Sequence, residues 1–139
     1  MLVKDVMTPH AEWVNPEATL VELAKTMRDE NIGCLPIGEN DRLIGMVTDR
    51  DIAIRGIAEG GDPKTITARD VMTKNIKWCY ENDDIDDAAH LMEDNKIRRL
   101  PVLNKDKRLV GLLALGDLSQ KVSHELSGEV VEKVSVVHH

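Results

Sequence analysis

Aromatic residues and cysteine are scarce in this chain. Its 139 residues include no Phe, two Trp, one Tyr and two Cys. So few aromatic side chains provide no platform on which single-stranded bases could stack. Cys34 and Cys79 have no CxxC spacing, and two such thiols are typical of small apolar fillers in a reduced, cytosolic protein. The core must therefore consist of Ile, Leu, Val, Ala and Met.

Long apolar runs and an excess of positive charge are also missing. No apolar run approaches the roughly 18 residues that cross a bilayer, and the first residues lack the charged-then-apolar plan of a secretion signal. The formal net charge of −7 disfavours a nucleic-acid partner, because a phosphate backbone must meet a basic surface. We therefore expect a cytoplasmic protein that binds neither membrane nor nucleic acid, although a local basic cluster could hold a small anion.

What the chain does contain is a repeat. The segment Asp5–Thr8 (DVMT) returns as Asp70–Thr73, and at the same offset Leu35-Pro36 meets Leu100-Pro101. A repeated unit that cannot bury its apolar face alone usually packs against its copy. We therefore predict one compact module with a first motif at residues 1–62, a second at residues 63–126 and a C-terminal extension at residues 127–139.

Each copy is predicted to form a strand, a helix, two further strands and a second helix. Thr19 occupies an N-cap position with Glu22 three residues later, and apolar residues at helical spacing predict a helix over Leu20–Glu30. The near-continuous apolar run Leu43–Val47 is typical of a strand covered on both faces. The remaining predicted elements are strands at 12–14, 34–37, 77–79, 100–103 and 109–113, and helices at 49–58, 85–95 and 116 to about 124.

This order of elements indicates a mixed α/β (α+β) fold. Residues 59–63 form a turn-rich linker between the copies. Residues 129–137 alternate enough to form an added strand or a short helix, and both alternatives stay open. The terminal His138-His139 is either native or a remnant of cloning.

The most specific local motif is the segment Gly45–Asp51 (GMVTDRD), at a predicted junction of strand and helix. Glycine permits close backbone approach, and a helix N-terminus presents unpaired N–H groups to an anion. The Thr48 hydroxyl can hydrogen-bond a phosphate oxygen, while Asp51, one helical turn further on, can accept both hydroxyl hydrogens of a ribose diol. The alternative is a plain capped helix start, which the same residues would form.

Arg98 and Arg99 are adjacent cations in an otherwise acidic chain. Their guanidinium forks suit phosphate oxygens, so the pair is a candidate anion-binding element. On these two residues alone, a solvated strand edge is the open alternative.

Together, these features resemble a tandem cystathionine-β-synthase (CBS) domain pair, or Bateman module, of the stand-alone bacterial or archaeal type. The features are the duplicated element order, both DVMT openings, the turn at Gly33–Pro36 and the GMVTDRD motif. The likeness extends from about Val3 to Val122. It implies two β-α-β-β-α motifs packed through their sheets around a pseudo-twofold axis, with two clefts that bind adenosine nucleotides such as AMP, ADP or ATP.

The resemblance implies a first nucleotide site to which both repeats contribute. Asp51 would hold the ribose and Thr48 the phosphate. The second repeat would border the adenine with Thr73 and Ile76. The other residues assigned to this site are the phosphate-binding pair Arg98 and Arg99, together with Asp49 and Arg50.

The second cleft departs from the family pattern. Asp117 keeps the ribose position, but Ala114 replaces the hydroxyl that would contact phosphate, and Gly33 and Cys34 stand where the other copy has its two arginines. Losing one charge-assisted hydrogen bond costs about 1.5–3 kcal/mol, or roughly one to two decades of affinity. We therefore predict unequal sites, the second being weak, empty or suited to a less charged ligand. Its remaining lining residues would be Thr8 and Ala11.

We expect a regulatory module that senses a nucleotide, without catalysis, a catalytic cofactor or a bound metal. No nucleophile, base and orienting acid form a recognisable set. The acids of Asp83–Asp87 favour the positive end of a helix, and no metal-ligand spacing accompanies them. The main alternative is a CBS-fold interaction scaffold with degenerate ligand sites whose extension docks on a partner. A nucleotide-hydrolysing or nucleotide-transferring enzyme is the third class.

Two further expectations concern partners. A bound nucleotide would alter the arrangement of the two copies and so signal to an unidentified regulated protein. Family members commonly form homodimers through their helices. The apolar candidates for such an interface are Ile52, Ile54, Leu118 and Val122.

Overall fold

A computed structural model describes residues 1–121 of the chain. In chain order the elements are β1 (Thr8–Pro9), α1 (Leu20–Glu30), β2 (Cys34–Glu39), β3 (Arg42–Thr48), α2 (Asp49–Asp51), α3 (Ala68–Val71), β4 (Cys79–Tyr80), α4 (Ile85–Asn95), β5 (Arg99–Leu103), β6 (Leu109–Ala114) and α5 (Leu115–Lys121). A 3₁₀ turn at Val3–Asp5 precedes β1, and a π-helical segment, Ile52–Ile57, continues α2. The mixed α+β character predicted from the sequence is confirmed.

The described chain divides into two compact units whose limits differ from those of the repeats. Residues 13–76 form one unit, here called the central unit. Residues 1–12 join the chain from Lys77 onward in the other, here called the terminal unit. The opening of each copy therefore folds with the body of the other copy.

The central unit is built on a two-stranded antiparallel sheet and the helices beside it. Strand β2 pairs with β3 in a register that sets Cys34 opposite Thr48. Helix α1 begins at the predicted residue because the Thr19 hydroxyl accepts the Glu22 N–H at 3.3 Å. The buried apolar core of the central unit consists of Leu20, Leu23, Met27, Leu35, Ile37, Val47, Ala68, Val71 and Met72.

The terminal unit contains a four-stranded sheet in the order β1-β6-β5-β4. Strand β6 is antiparallel to both β1 and β5, and β4 runs parallel to β5. Helix α4 begins where predicted because Asp84 caps it, its carboxylate accepting the Asp86 N–H at 2.9 Å. The buried core of the terminal unit includes Val3, Val6, Ile85, Ala89, Met92, Leu100, Val102, Leu113 and Leu118.

Some predicted elements are shifted or reduced. The predicted strand at 12–14 is wrong, because only Val14 forms an isolated bridge, to Ile37. The predicted strand at 77–79 lies instead at Cys79–Tyr80, and α3 was not predicted at all. The last part of the helix expected to reach residue 124 and the segment 129–137 lie outside the described residues. None of the helices formed by residues 1–121 combines the length and apolar character that crossing a bilayer requires.

Leu118 is one of the residues expected at a dimer interface, and that expectation is wrong. Its side chain is only 1% exposed, inside the core of the terminal unit. Ile54, by contrast, is 49% exposed, and Ile52 is half-buried against the core of the central unit. Val122 lies outside the described residues.

Candidate functional site

Thr48 and Asp51 cap the start of α2 reciprocally. The Thr48 hydroxyl accepts the Asp51 N–H at 3.1 Å, and Asp51 Oδ2 accepts the Thr48 N–H at 2.9 Å. This capping box satisfies two backbone donors that the helix leaves without partners. The side chain of Asp51 is 12% exposed. The plain capped helix start is therefore present, and a ligand must use whatever hydrogen-bonding capacity the cap leaves over.

Two atoms of this cap keep such capacity. A hydroxyl that accepts one hydrogen bond still has its own hydrogen, and within residues 1–121 the Thr48 hydroxyl donates it to no group. A carboxylate oxygen can accept about two hydrogen bonds. Asp51 Oδ1 is approached by Thr73 Oγ1 at 3.5 Å and by Arg55 Nε at 3.9 Å. A hydroxyl that can donate and a carboxylate oxygen that can accept thus lie one helical turn apart.

Thr73 is brought to this cap by the backbone. The Met46 N–H donates to the Thr73 carbonyl at 3.0 Å, and the Thr73 N–H donates to the Met46 carbonyl at 2.8 Å. Gly45 makes the approach possible, because a Cβ at that position would lie 2.9 Å from the Thr73 carbonyl oxygen and 2.8 Å from Met72 Sδ. The space beside Gly45 is thus occupied by the opening of the second copy.

Arg55 is a residue of this region that the sequence did not reveal. Its Nη1 donates to the carbonyls of Val71 at 3.4 Å and Met72 at 3.2 Å. Its Nε lies 3.9 Å from Asp51 Oδ1. A cation four residues after an acid on a helix was the available signal, but its carbonyl partners are distant in sequence.

The other predicted residues of the central unit surround the cap. The Asp49 N–H donates to the Gly33 carbonyl at 2.9 Å, and a Cβ on Gly33 would lie 2.9 Å from Asp49 Oδ2. Cys34, assigned by resemblance to the second site, is buried and lies opposite Thr48. Arg50 is exposed and Ile76 is half-buried.

The terminal unit holds the corresponding turn around Asp117. Asp117 Oδ2 accepts the Ala114 N–H at 3.1 Å, but Ala114 has no hydroxyl that could accept the Asp117 N–H. Thr8 lies opposite Leu112 in the sheet, and a Cβ on Gly111 would lie 2.7 Å from the Thr8 carbonyl oxygen. Ala11 is half-buried. The backbone arrangement of the first turn is thus repeated here without its threonine.

Arg98 and Arg99 are exposed residues of the terminal unit, at the start of β5. The Arg98 carbonyl accepts the Leu115 N–H at 2.9 Å, and Arg99 lies opposite Ala114. Their expected action on the phosphate of a nucleotide held by Asp51 stays a prediction.

Other polar features have structural explanations. Asp84 accepts the Asp86 N–H at the start of α4, as expected for an acid at the positive end of a helix, and Asp83 accepts the Tyr80 N–H in the turn after β4. Burial, with a smaller contribution from the negative charge of Asp83, raises the pKa of the Cys79 thiol to about 12. In the described part of the chain, no three His, Cys, Asp or Glu side chains are grouped so that they could hold a metal ion.

A shallow groove of about 350 Å³ lies in the central unit between Trp13, Pro16 and the β2–β3 turn. The Trp13 ring fills the space that a side chain at residue 38 would need, since a Cβ on Gly38 would lie 2.3 Å from it. The Glu17 and Glu39 carboxylates at its rim both bind Arg69. The hydrogen bond with Glu17 contributes most to raising the pKa of the guanidinium, and the hydrogen bond with Glu39 raises it further. The rim is therefore explained as an ion pair that ties α3 to the sheet.

Comparison with known proteins identifies the fold and its relatives. The sequence model of the CBS domain matches residues 3–55 and again residues 68–124. The chain is 40% identical over 134 residues to the CBS domain-containing protein YhcV of Bacillus subtilis, a match that covers 96% of this chain and 94% of that protein. It is 36% identical over 132 residues to hypoxic response protein 1 of Mycobacterium tuberculosis, covering 94% of this chain and 92% of the relative.

Solved structures show the same architecture. The crystal structure of CBSX2 in complex with AMP superimposes with a TM-score of 0.72 at 27% identity, covering 86% of this chain and 93% of that one. The CBS domain pair of MJ0100, in complex with 5-methylthioadenosine and S-adenosyl-L-methionine, gives 0.76 at 29% identity, covering 86% and 94%. Two family matches along the sequence and two solved pairs with this architecture lead to one conclusion: the chain belongs to the CBS domain family and has the fold of a CBS domain pair.

Proposed function

We propose that this protein is a regulatory module that binds an adenosine nucleotide, with Asp51 accepting the ribose hydroxyls and Thr48 donating to the phosphate. The observation that supports this most directly is the spare hydrogen-bonding capacity of the cap at the start of α2. Oδ2 of Asp51 is held at 2.9 Å by the Thr48 N–H, so the carboxylate is fixed in orientation while Oδ1 keeps room for a hydroxyl hydrogen.

The chemistry of a vicinal diol fits this carboxylate. Two neighbouring hydroxyls can each donate to one carboxylate oxygen, and hydrogen bonds to a charged acceptor contribute about 1.5–3 kcal/mol each. The Thr48 hydroxyl hydrogen and the N–H groups at the start of α2 suit an anionic group attached to the same sugar. Thr73 Oγ1, 3.5 Å from the carboxylate, lies close enough to Asp51 for a ligand whose ribose is held there to have its base beside Thr73.

The relatives support the ligand class. One related structure is described as a complex with AMP and another as a complex with 5-methylthioadenosine and S-adenosyl-L-methionine. These ligands share an adenosine group but differ in what is attached at its 5′ position. We therefore propose adenosine as the common element, with Asp51 for its ribose and with Thr73 and Ile76 beside its base. AMP, ADP and ATP are the candidate ligands.

The test of the ribose assignment is calorimetric titration of the ligand-free protein with AMP, ADP, ATP and adenosine. Asp51→Asn keeps an acceptor for the Thr48 N–H but removes the charge, so we expect AMP affinity to fall about 10-fold to 100-fold. The matched variant Asp117→Asn makes the same change in the other turn and should leave that affinity unchanged. Equal affinity of wild type and Asp51→Asn, or equal affinity for AMP and 2′-deoxy-AMP, would overturn the assignment.

The phosphate assignment has a separate test. If Arg98 and Arg99 bind the phosphate, Arg98→Gln and Arg99→Gln will weaken AMP binding and leave adenosine binding unchanged. Raising the salt concentration should weaken AMP binding in the wild type more than in the double variant, because screening acts on the charged contact. Loss of adenosine binding as well would show that the arginines support the fold instead.

The same titrations separate the alternative functions. Absence of binding by every nucleotide at millimolar concentration would favour an interaction scaffold with degenerate ligand sites. Conversion of nucleotide by the pure protein, lost in Asp51→Asn, would favour an enzyme. Binding without conversion supports the regulatory module, which requires a ligand with different affinities for two arrangements of the protein.

We also propose that the module is a cytoplasmic homodimer that acts on a further regulated protein. Ile54 and Ile57 are 49% and 51% exposed on the π-helical segment, and neighbouring exposed apolar side chains are typical of contact surfaces. Ile54→Asp combined with Ile57→Asp should convert a dimer to a monomer in sedimentation analysis. An unchanged sedimentation coefficient would exclude this face as the interface.

A further inference from the structure

Arg55 connects two segments of the central unit that lie side by side at the cap. It is part of the π-helical segment that continues α2, one turn beyond Asp51. Its Nη1 reaches the carbonyls of Val71 and Met72, at 3.4 and 3.2 Å, immediately before Thr73. One side chain thus bridges the helix that carries Asp51 and the segment that carries Thr73.

These hydrogen bonds complete the attachment of the Thr73 segment. Thr73 and Met46 exchange both backbone hydrogen bonds, at 2.8 and 3.0 Å, which fixes the segment laterally against β3. On the helix side Thr73 has a long hydrogen bond of its own, with Oγ1 at 3.5 Å from each carboxylate oxygen of Asp51. The Arg55 contacts add a shorter one from the same side, at 3.2 Å, to the carbonyl of the preceding residue.

We propose that Arg55 is a positioning residue for the ribose site: it holds the Thr73 segment against Asp51 and thereby sets the affinity for the nucleoside part of the ligand. This inference rests on the proposed function, since it concerns the same site. Arg55 acts through Thr73 and the Asp51 carboxylate and needs no contact with the ligand.

The charge of Arg55 is the weaker part of its action. Nε lies 3.9 Å from Asp51 Oδ1, but the Arg55 side chain is 53% exposed, so water screens the attraction. Nη1, in contrast, donates to the carbonyl oxygens of Val71, the last residue of α3, and of Met72. Lysine would retain the charge but has a single nitrogen, whereas in Arg55 Nη1 serves the two carbonyls while Nε lies towards Asp51.

Arg69 provides a matched comparison, because it anchors the same stretch of chain away from the cap. It lies in α3 and donates to Glu17 at 2.9 Å and to Glu39. Removing either arginine therefore loosens one attachment of the chain that leads to Thr73. Only Arg55 does so beside Asp51.

The experiment compares Arg55→Met, Arg55→Lys and Arg69→Met by calorimetry with adenosine and AMP, and by amide hydrogen exchange of the ligand-free protein. Arg55→Met should weaken adenosine and AMP by the same factor, about threefold to tenfold, because the lost hydrogen bonds hold Thr73 and do not touch the ligand. Exchange at the amides of Met72 and Thr73 should become faster. Arg55→Lys should recover only part of the affinity, and Arg69→Met should leave both affinities unchanged.

Three results would overturn the inference. They are equal loss of affinity in Arg55→Met and Arg69→Met, loss for AMP but not for adenosine, and unchanged exchange at Thr73 in Arg55→Met. Failure of the proposed function has a different signature, because the wild type would then bind neither compound. Hydrogen exchange in the ligand-free protein would still show in that case whether Arg55 holds the Thr73 segment.

Discussion

The turns at Thr48–Asp51 and Ala114–Asp117 have the same backbone and different chemistry. In both, an aspartate Oδ2 accepts the N–H of the residue three positions earlier, at 2.9 Å in the first and 3.1 Å in the second. Only the first turn has a hydroxyl that accepts the return bond. The carboxylate alone is therefore enough to form the turn, and the threonine is available for another purpose.

Gly45 and Gly111 also show that the two copies share the features that form their backbone. A Cβ on Gly45 or Gly111 would meet a threonine carbonyl oxygen at 2.9 or 2.7 Å, so both copies require glycine to seat their neighbouring segment. Features that form the backbone are thus common to the two units. The hydroxyl of Thr48, which could hold a phosphate, is present in only one of the two turns.

The largest expected effect tests the common part. Gly45→Ala and Gly111→Ala should each destabilise the protein by about 1–3 kcal/mol in urea denaturation, because overpacking against backbone forces a shift of the strand. Gly111→Ala should be the more damaging, since both contacts of its Cβ would be closer: 2.5 Å to Met7 Sδ and 2.7 Å to the Thr8 carbonyl oxygen, against 2.8 Å and 2.9 Å for the corresponding contacts of Gly45.

Gly116→Ala is the matched control for these two variants. No atom lies within 4 Å of a Cβ at this position, and the residue is in α5, where alanine is the better helix former. Its stability should therefore be unchanged or slightly increased. If all three variants lose equal stability, the close contacts at Gly45 and Gly111 are not the cause.

The next effect concerns the cap that only one turn completes. Thr48→Ala removes the acceptor of the Asp51 N–H and should lower the free energy of unfolding of the ligand-free protein by about 1 kcal/mol. Thr48→Ser keeps the hydroxyl and should lose less than half of that. Urea denaturation without ligand makes the measurement, and equal losses in the two variants would contradict the role of the hydroxyl.

A smaller effect in the opposite direction is expected in the terminal unit. Ala114→Thr supplies the hydroxyl that is missing opposite Asp117 and should raise the free energy of unfolding by up to about 1 kcal/mol. If the threonine alone distinguishes the two turns as phosphate sites, the variant will also bind a second equivalent of AMP in calorimetry. A gain in stability without a second equivalent would show that other residues of the cleft have diverged.

The smallest change compares reactivity rather than stability. The pKa of Cys79 is raised to about 12 by burial, so its thiolate is almost absent at pH 8 and forms only as the pH rises towards that value. Native protein at pH 8 should therefore leave Cys79 unmodified by iodoacetamide, and protein unfolded in urea should be alkylated there within minutes. Rapid alkylation in the native state, identified by peptide mass spectrometry, would contradict its burial.

Much of the fold could be predicted because its signals are local. The helices Leu20–Glu30 and Ile85–Asn95 were predicted to the residue, since an N-cap and an apolar periodicity define each of them. The strand expected at 12–14 failed because its single bridge, Val14 to Ile37, depends on a partner distant in sequence. Helix α3 was missed for a related reason: it has only four residues, two of them in the repeated opening, and so shows no helical period.

In the candidate site, too, the residues of a local motif could be predicted from the sequence, and those that depend on distant partners could not. Thr48 and Asp51 form one short motif, so their spacing alone indicated that they would meet. Thr73 could be added only through the family resemblance, and Arg55 not at all, because its partners are carbonyl groups, which no side-chain pattern reports.

The assignment of each copy's opening to the other copy's unit has a practical consequence for dissection of the protein. Residues 1–12 fold with the chain from Lys77 onward, and residues 63–76 fold with the first copy. A fragment cut after Asp62 would lose Val71 and Met72 from its apolar core and would carry Asp51 without its neighbour Thr73. A single-repeat fragment intended to retain the proposed ribose site should therefore begin at Trp13 and continue through Ile76.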